Sequence, residues 1–416
     1  MASEDPSPAL EQRKKVPRQQ LSKGMEHMRA AVTLPNEPAN TGIPCSPGTS
    51  TPSTTNEEEP AYGVPTHYQP LRHATSDSAS NPHKRVDPFQ FGSRLLEEGD
   101  DIFAYNAWDH VEVDSAYTEF IASQTAMQRA APVSDFDKTR FNTAPEKWWD
   151  KFYGNNRDNF FKDRKWLGQE FPLLREVTEE GYGAVTVLEV GAGAGNTAFP
   201  IVGMNKNRDL RLHACDYSKK AVEVMRGSEL YDESVMKADV WDAAGEGEGS
   251  TPPGLEKGSV DVIIMIFIFS ALEPRQWRQA LRNVWGLLKP GGSVLFRDYG
   301  RGDLAQVRFK KGRYLEENFY VRGDGTRVYF FDKEELEQIW SGNLPGNSME
   351  SQVDGVTQQM QAAKIEDGAE SETPRFEVVN LGVDRRMLVN RQRRLKMYRC
   401  WMQGLFRKPL LEEKAD

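Results

Sequence analysis

Cysteine is scarce in this chain: three in 416 residues, at positions 45, 215 and 400, with no C-x-x-C pair among them. That spacing argues against a disulfide framework and against a zinc site, so no metal is expected and a reducing compartment, the cytoplasm, fits. Long apolar runs are also missing. The longest, Val260 to Leu272, is interrupted by Asp261 and is too short to cross a bilayer. It reads as a buried central strand, and no membrane partner is expected. The first residues, Ala2-Ser3-Glu4-Asp5-Pro6, carry acids and no apolar stretch, which argues against a secretory leader. Residues 1–85 are rich in Pro, Ser, Thr, Asn and Glu and lack any sustained apolar period, so a disordered tail is expected there.

Nor is there an excess of positive charge: the net charge is −9, from 53 Lys and Arg against 62 Asp and Glu. The distribution says more than the total. Arg385 to Lys408 holds nine basic residues and no acid, and a second cluster runs from Arg308 to Arg313. Much of the acidity lies in Ser348–Glu377 and in the tail. Basic stripes on an acidic chain are compatible with contacts to RNA phosphates, with a solvated basic face as the plain alternative.

What the chain does have is the run VLEVGAGAGN, Val187 to Asn196, followed by Ala214-Cys215-Asp216. Val187–Val190 reads as a strand. Glycines at alternate positions, Gly191, Gly193 and Gly195, then turn the chain and let a ligand lie against bare backbone. Asp216 falls at the end of the next strand, where a ribose hydroxyl pair would be held. The G-x-G-x-G spacing differs from the G-x-G-x-x-G of dinucleotide binders, which disfavours a nicotinamide dehydrogenase. Glu189 inside the strand suits S-adenosylmethionine, whose amino-acid end is a zwitterion rather than a pyrophosphate.

Strands and helices alternate after residue 145. The expected strands are Val185–Val190, Leu210–Cys215, Ser234–Ala238, Val260–Phe267 and Ser293–Arg297. The expected helices are Lys219–Arg226, capped by Ser218, Pro274–Leu288, and a short one over Asp332–Trp340. Lys289-Pro290-Gly291-Gly292 reads as a break, and Gly245–Gly258 as a flexible loop. Two closing runs, Phe376–Val389 and Lys396–Phe406, are close enough in sequence to pair antiparallel. The expectation is an α/β fold of the class I, Rossmann-like methyltransferase plan, with a seven-stranded, mostly parallel sheet and an antiparallel C-terminal strand. Ahead of it, Phe89 to Tyr182 is too aromatic for a linker and reads as an N-terminal cap over the cofactor mouth. Stacking on adenine or on a base is the functional reading of these rings and core packing the plain one. The domain expectation is a disordered tail 1–85, an extension and aromatic cap 86–182, a methyltransferase core 183–340, a polar insertion 341–374, a closing β-hairpin 375–408 and a tail 409–416.

Several segments together resemble the tRNA N3-cytidine methyltransferases: WWDKFYGNNRDNFFKDRKW (148–166), LEVGAGAGN (188–196), HACDYSKKAVE (213–223), DVIIMIFIFSAL (261–272), LKPGGSVLFRDYGRGDLAQVRF (288–309) and ENFYVRGDGTRVYFF (317–331). FGSRLLEEGDDIFAYNAWDHVEV (91–113) further resembles the extension of the longer cytosolic branch of that family. The resemblance covers most of 89–340 and resumes over 376–408. It implies a cytoplasmic enzyme that uses S-adenosylmethionine to form 3-methylcytidine at position 32 of the tRNA anticodon loop, in threonine tRNAs. It leaves room for an accessory protein in tRNA selection. It places cofactor contacts on Trp149, Tyr153, Gly191, Asp216, Asp239, Val240 and Ile266, beside the Gly193 that the glycine turn already singles out. Lys165 departs from the histidine expected after FFKDR, and neither the insertion nor the first 85 residues has a counterpart.

Cytosine N3 carries a free lone pair at neutral pH, so attack on a sulfonium methyl needs no strong base, only alignment and suitable electrostatics. Asp298, beside Arg297 and Tyr299, is the candidate carboxylate for hydrogen bonds to the reacting ring; a structural acid paired with Arg297 is the alternative. No Asp/Asn-Pro-Pro-Tyr/Phe motif follows the Val260 strand, which favours a ring nitrogen over an exocyclic amine. A base splayed from an anticodon loop needs an aromatic pocket, with Phe160, Phe161, Phe319 and Tyr320 as candidates. RNA contacts are expected from Phe160, Phe161, Lys162, Arg164, Arg391, Arg393 and Arg394. Two further readings remain: a class I methyltransferase of small molecules or proteins, and a catalytically silent RNA-binding partner of the same fold.

Overall fold

The computed structural model describes residues 94–343 and 374–410, together with Met28 and Val32. Eleven strands are found among these residues: β1 (Ala107–Asp109), β2 (Val185–Val190), β3 (Leu210–Asp216), β4 (Met236–Val240), β5 (Val260–Ile266), β6 (Leu288–Tyr299), β7 (Tyr314–Glu316), β8 (Phe319–Val321), β9 (Arg327–Tyr329), β10 (Glu377–Asn390) and β11 (Leu395–Arg407). Eight of them form one sheet, in the order β1-β10-β11-β6-β5-β2-β3-β4. β6, β5, β2, β3 and β4 run parallel, while β11, β10 and β1 are antiparallel additions.

β5 shows why this sheet sits at the centre. Its apolar residues are buried on both sides: Ile263 and Met265 face one core with Leu188, Phe296 and Trp340, while Val262, Ile264 and Ile266 face the other with Val187, Ala214 and Leu295. Period-2 alternation with both faces apolar is what a strand covered by helices on both sides requires. The chain winds outward from β2 through β3 to β4, then returns to place β5 on the other side of β2. The carboxyl ends of β2 and β5 therefore flank the point where strand order reverses, which is where open α/β sheets bind ligands.

The seven expected strands are present with shifted ends. β4 starts at Met236 rather than Ser234, and β6 extends back to Leu288. Lys289-Pro290-Gly291-Gly292 does end the helix, whose last residue is Leu287, but the chain passes through it directly into β6. Gly291, at φ +80°, donates its N–H to the Lys408 carbonyl at 2.8 Å, which carries the strand through the turn. Helix Lys219–Arg226 keeps its expected bounds, and the Ser218 side chain accepts from the Ala221 N–H. The expected helix over Pro274–Leu288 begins instead as a 3-10 turn, Pro274–Gln276, and becomes α-helical at Trp277. β1 adds an eighth strand at the sheet edge. The small antiparallel sheet β7-β8-β9 was not anticipated; it buries Phe319, Tyr320 and Val328.

The extension ahead of β2 is helical, with helices Ser115–Arg129, Asp135–Thr143 and Pro145–Asn156. Trp108 is core, packed with Phe103, Tyr117, Met387 and Tyr398. A buried ionic cluster ties the extension to the closing hairpin. Arg297 reaches Asp384 at 2.5 Å, and Arg386 reaches Asp384, Glu170 and Asp109 at 3.0, 3.4 and 3.4 Å. Losing one partner would strand a buried charge, which is far more costly than losing a surface pair. Met28 and Val32 depart from the expected disordered tail: both are buried against Leu304 and Leu395, with Phe120 and Met397 alongside. The rest of 1–85, residues 344–373 of the polar insertion and 411–416 of the tail lie outside the described residues.

Candidate cofactor and base site

All three glycines of the turn after β2 have positive φ, +68° at Gly191, +59° at Gly193 and +90° at Gly195. Space as well as conformation requires them. A Cβ at Gly191 would lie 2.7 Å from Ile268 Cγ1, and one at Gly193 would overlap the Tyr153 hydroxyl. The turn is held by Asp216, whose Oδ2 accepts from the Gly193 N–H and whose Oδ1 accepts from the Ser218 N–H, both at 2.8 Å. Burial pushes the Asp216 carboxyl up to about 6 against these two bonds. Each oxygen keeps a second lone pair for a ligand hydroxyl.

Beneath the turn lies Glu189, 1% exposed, with Oε2 lacking any hydrogen-bond partner. Burial raises its pKa to about 7, opposed by the Arg164 guanidinium 3.6 Å away. Arg164 also donates to the Thr197 hydroxyl, and its guanidinium lies 6.0 Å from the Phe267 ring centre. Burial lowers the Arg164 pKa from its ordinary value. An orphaned buried carboxylate oxygen and a buried guanidinium, side by side under a glycine turn, make a donor set suited to an ammonium and a carboxylate on one carbon. That is the amino-acid end of S-adenosylmethionine.

The walls are aromatic. Trp149, Phe152, Tyr153 and Phe161 pack against Ala194 and Ala221, which lays the cap directly on the glycine turn. Asp150 fastens it, accepting from the Ser218 hydroxyl at 2.6 Å and the Lys220 N–H at 3.0 Å. At the carboxyl end of β5, Phe267 adopts φ +59°, a conformation that costs a non-glycine residue free energy and turns its ring out of the sheet line. The Phe267 ring meets that of Tyr299, at the end of β6, with centroids 4.9 Å apart. From Tyr299 a path of rings runs through Phe330 to Phe309 and Tyr320, which stack at an interplanar angle of 3°. It ends beside Arg308, Lys310 and Lys311, which are exposed and form no ion pair among the described residues.

Comparison with known proteins bears on this arrangement. A methyltransferase-domain family profile matches residues 188–294. The chain is 46% identical over 335 residues to the tRNA(Thr) (cytosine(32)-N(3))-methyltransferase of Saccharomyces cerevisiae, covering 80% of this chain and 48% of that one. It thus spans about half the length of the budding-yeast relative. To the tRNA N(3)-methylcytidine methyltransferase of Schizosaccharomyces pombe it is 44% identical, over 76% of this chain and 92% of that one. To its Drosophila melanogaster counterpart it is 39% identical, over 82% and 96%. The chain belongs to the tRNA N3-cytidine methyltransferases. Its cofactor is S-adenosylmethionine, for which the residues around the glycine turn supply fitting donors.

Within this family member, the expected cofactor residues converge. Asp216 and Val240 are register partners at the ends of β3 and β4, Ile266 is buried at the end of β5, and Trp149 and Tyr153 cover the turn. Val240 is 39% exposed. Asp239 is engaged at the surface, accepting from Arg226 at 2.7 Å.

The catalytic trio does not converge. Asp298 has no exposed surface; its Oδ2 accepts from the Ser270 N–H and its Oδ1 from the Tyr299 N–H, both at 2.9 Å. Burial pushes its carboxyl up to about 6, and it ties the loop after β5 to β6. Arg297 points to the opposite side, between the rings of Trp166 and Trp401, and pairs with Asp384 and Gln403 rather than Asp298. Alternation along β6 puts Arg297 and Tyr299 on one face and Asp298 on the other; of the two on the Phe267 face only the Tyr299 ring meets Phe267, because Arg297 is drawn away to Asp384.

Arg164, expected to face RNA, is turned inward: 14% of its side chain is exposed, and it lies 3.6 Å from Glu189 beneath the glycine turn. Phe160 is 48% exposed and Lys162 is exposed, while Phe161 is half-buried. Phe319 and Tyr320 are fully buried. Of the basic C-terminal stripe, Arg386, Lys396, Arg399 and Arg407 are held by Asp384, Asp114, Asp303 and Glu377, and Lys408 by main-chain carbonyls. Arg391, Arg393 and Arg394 occupy the β10–β11 turn, where Arg394 lies 4.0 Å over the Phe103 ring. Because Trp401 pairs with Tyr299, that turn overshoots the carboxyl edge of β6 by about 20 Å, on the side of the site. Sequence reasoning missed Phe267, the Arg164–Glu189 pair and the role of Asn196. Phe267 had one legible sign: it ends a buried apolar run next to the switch point.

No group of side chains among the described residues is arranged to hold a metal ion, and no described helix is long and apolar enough to cross a membrane.

Proposed function

We propose that this chain transfers the methyl group of S-adenosylmethionine to N3 of cytidine 32 in the anticodon loop of threonine tRNAs, in the cytoplasm. The observation that carries the proposal is the Phe267–Tyr299 pair. It sits at the carboxyl ends of β5 and β6, one strand from the glycine turn, against an aromatic cluster packed around buried Phe330 and Tyr320, whose outer edge carries the exposed Arg308, Lys310 and Lys311. A base splayed from a loop is recognised by such stacking faces, and its flanking phosphates by such cations.

The protein's own residues act by positioning. Phe267 and Tyr299 hold the plane of the cytosine so that its N3 lone pair points along the line of transfer, a contribution that substitutes for base catalysis. The bound cofactor supplies an electrophilic methyl. Tyr153, Trp149 and Phe161 exclude water from the methionine end, which strengthens every electrostatic contact there. Asp298 holds the Ser270 loop beside Phe267, keeping the aromatic pair in place without touching the base.

Two measurements test this reading. Purified chain incubated with individual tRNAs should yield 3-methylcytidine in threonine tRNA by nucleoside mass spectrometry. A strain lacking the protein should lose that nucleoside from the same tRNA. Retention of the modification in the deletion strain refutes the assignment. An accessory protein for tRNA selection is part of the proposal only if extract from the deletion strain raises the activity of the purified chain.

A further inference from the structure

The segment between helix Pro145–Asn156 and Leu167 leaves the helix abruptly. Arg157, at φ +49°, turns the chain, and Arg157 to Phe160, Lys162, Asp163 and Lys165 are all exposed. This strap has few apolar contacts of its own beyond those of Phe160 and Phe161 with Phe152. It is held instead by the two residues that follow the glycine turn. Asn196 Nδ2 donates to the Phe161 carbonyl at 3.3 Å and to Asp163 Oδ1 at 3.2 Å. The Asn196 carbonyl accepts from the Arg164 N–H at 2.9 Å. Thr197 accepts from the Arg164 side chain. Asn196 is itself only 8% exposed, so its amide is committed to the strap rather than to solvent.

From this geometry we infer that Asn196 is a positioning residue that registers the strap on the glycine turn, and thereby couples cofactor occupancy to tRNA binding. The inference rests on the proposed reading of the site. Arg164, at one end of the strap, completes the pocket against Glu189; Phe160 and Lys162, at the other, present a ring and a cation to the outside. With the strap seated, the cofactor gains Arg164 and tRNA gains Phe160 and Lys162. With the strap released, both lose those contacts. Two ligands that favour the same state raise each other's affinity by the same factor.

The test measures that factor. Dissociation of a fluorescent threonine tRNA from the full chain is recorded with and without saturating S-adenosylhomocysteine, which permits binding but no turnover. Wild type should bind tRNA about fivefold or more tightly with the cofactor product present, the lower range of ordinary coupling. Asn196→Asp keeps the side-chain shape but replaces the two donated hydrogen bonds with acceptor against acceptor; Asn196→Ala removes them. Both should bring the ratio to about one, raise KM for tRNA more than they lower kcat, and weaken S-adenosylhomocysteine and tRNA alike when each is added alone, since each then loses its contact with the seated strap. If Asn196→Ala does not fold, the isosteric Asn196→Asp carries the comparison. A ratio that persists in the variants overturns the inference, as does a wild-type ratio of one. So does a loss of cofactor affinity with tRNA binding in the absence of cofactor unchanged, which would make Asn196 merely a support of the turn. Formation of 3-methylcytidine by the wild type is scored separately: product without coupling sinks this inference alone, and coupling without product sinks the reading of the reaction alone.

Discussion

Gly193 offers the sharpest test of the site, because the obstacle to a side chain there is one atom on a known partner. Gly193→Ala carries two costs. A residue other than glycine at φ +59° costs about 1–2 kcal/mol in the left-handed region. The new Cβ would also overlap the Tyr153 hydroxyl, and Tyr153 is 5% exposed, so the ring must shift within a packed cluster at a further cost of about 1–3 kcal/mol. With the hydroxyl removed, the nearest atom to that Cβ becomes Tyr153 Cζ at 3.2 Å, a tight but tolerable contact. Gly193→Ala should therefore lower unfolding stability by about 2–5 kcal/mol. Adding Tyr153→Phe should restore the overlap component while the conformational component remains. Urea unfolding of wild type, both single variants and the double variant gives the interaction energy directly. Calorimetric titration with S-adenosylhomocysteine, run in parallel, should show the same rescue, since a displaced Tyr153 intrudes on the cofactor's space. If the double variant loses the sum of the single losses to within about 0.5 kcal/mol, the two residues do not touch as described and the geometry of the turn is wrong.

Asp216→Ala should abolish measurable cofactor binding in calorimetry and, because two buried backbone N–H groups lose their acceptor, also lower stability by about 2–6 kcal/mol in urea unfolding. Glu189, raised from 4.5 to about 7 by burial, keeps its proton in the folded protein at pH values where the unfolded chain has lost it. Its contribution to apo stability is thus fully present below about pH 4.5 and falls as pH rises toward 7; Glu189→Gln should flatten that slope in a pH series of thermal melts, and an unchanged slope refutes it. Replacing Arg308, Lys310 and Lys311 together by Ala should weaken tRNA binding and reduce its log–log salt slope by about 2, with cofactor affinity unaffected in the same filter-binding and calorimetric series; Arg391, Arg393 and Arg394 should give a smaller reduction, because Arg394 is already engaged with Phe103. A chain starting at Val86 should still bind cofactor but melt earlier, since Met28 and Val32 are buried and each such side chain contributes about 1.5–3 kcal/mol; an unchanged melting temperature would show that their burial adds nothing.

The glycine turn, Asp216 and the parallel strands around them are local features with strong signatures, legible in the residues alone. Alternating glycines after an apolar strand have few other uses, and β5 could be read as a central strand because every position from Val262 to Ile266 is apolar. Ser218 and Lys219–Arg226 were legible for the same reason: a cap and its helix are decided within a few residues. The small sheet β7-β8-β9 escaped because its strands are three residues each, too short for a period to show.

Which charged and aromatic side chains reach the site was decided only by the tertiary structure. Asp298 and Arg297 stand one and two positions from Tyr299, yet strand alternation turns Asp298 to the other face, where it holds Ser270, and Asp384 draws Arg297 away from the Phe267–Tyr299 pair. Arg164 looks like one more exposed cation in FFKDRKW, and Asn196 like one more loop residue. Burial beside Glu189 turns the first inward, and Asp163 and Asn196, 33 positions apart, close into a single clasp only when the cap lies on the turn. The basic stripe from Arg385 to Lys408 reads as one RNA-facing surface until the fold supplies a partner for most of its charges. Sequence fixes charge and period along the chain; where a charge is spent depends on acids brought from up to 282 residues away, as Asp114 is to Lys396.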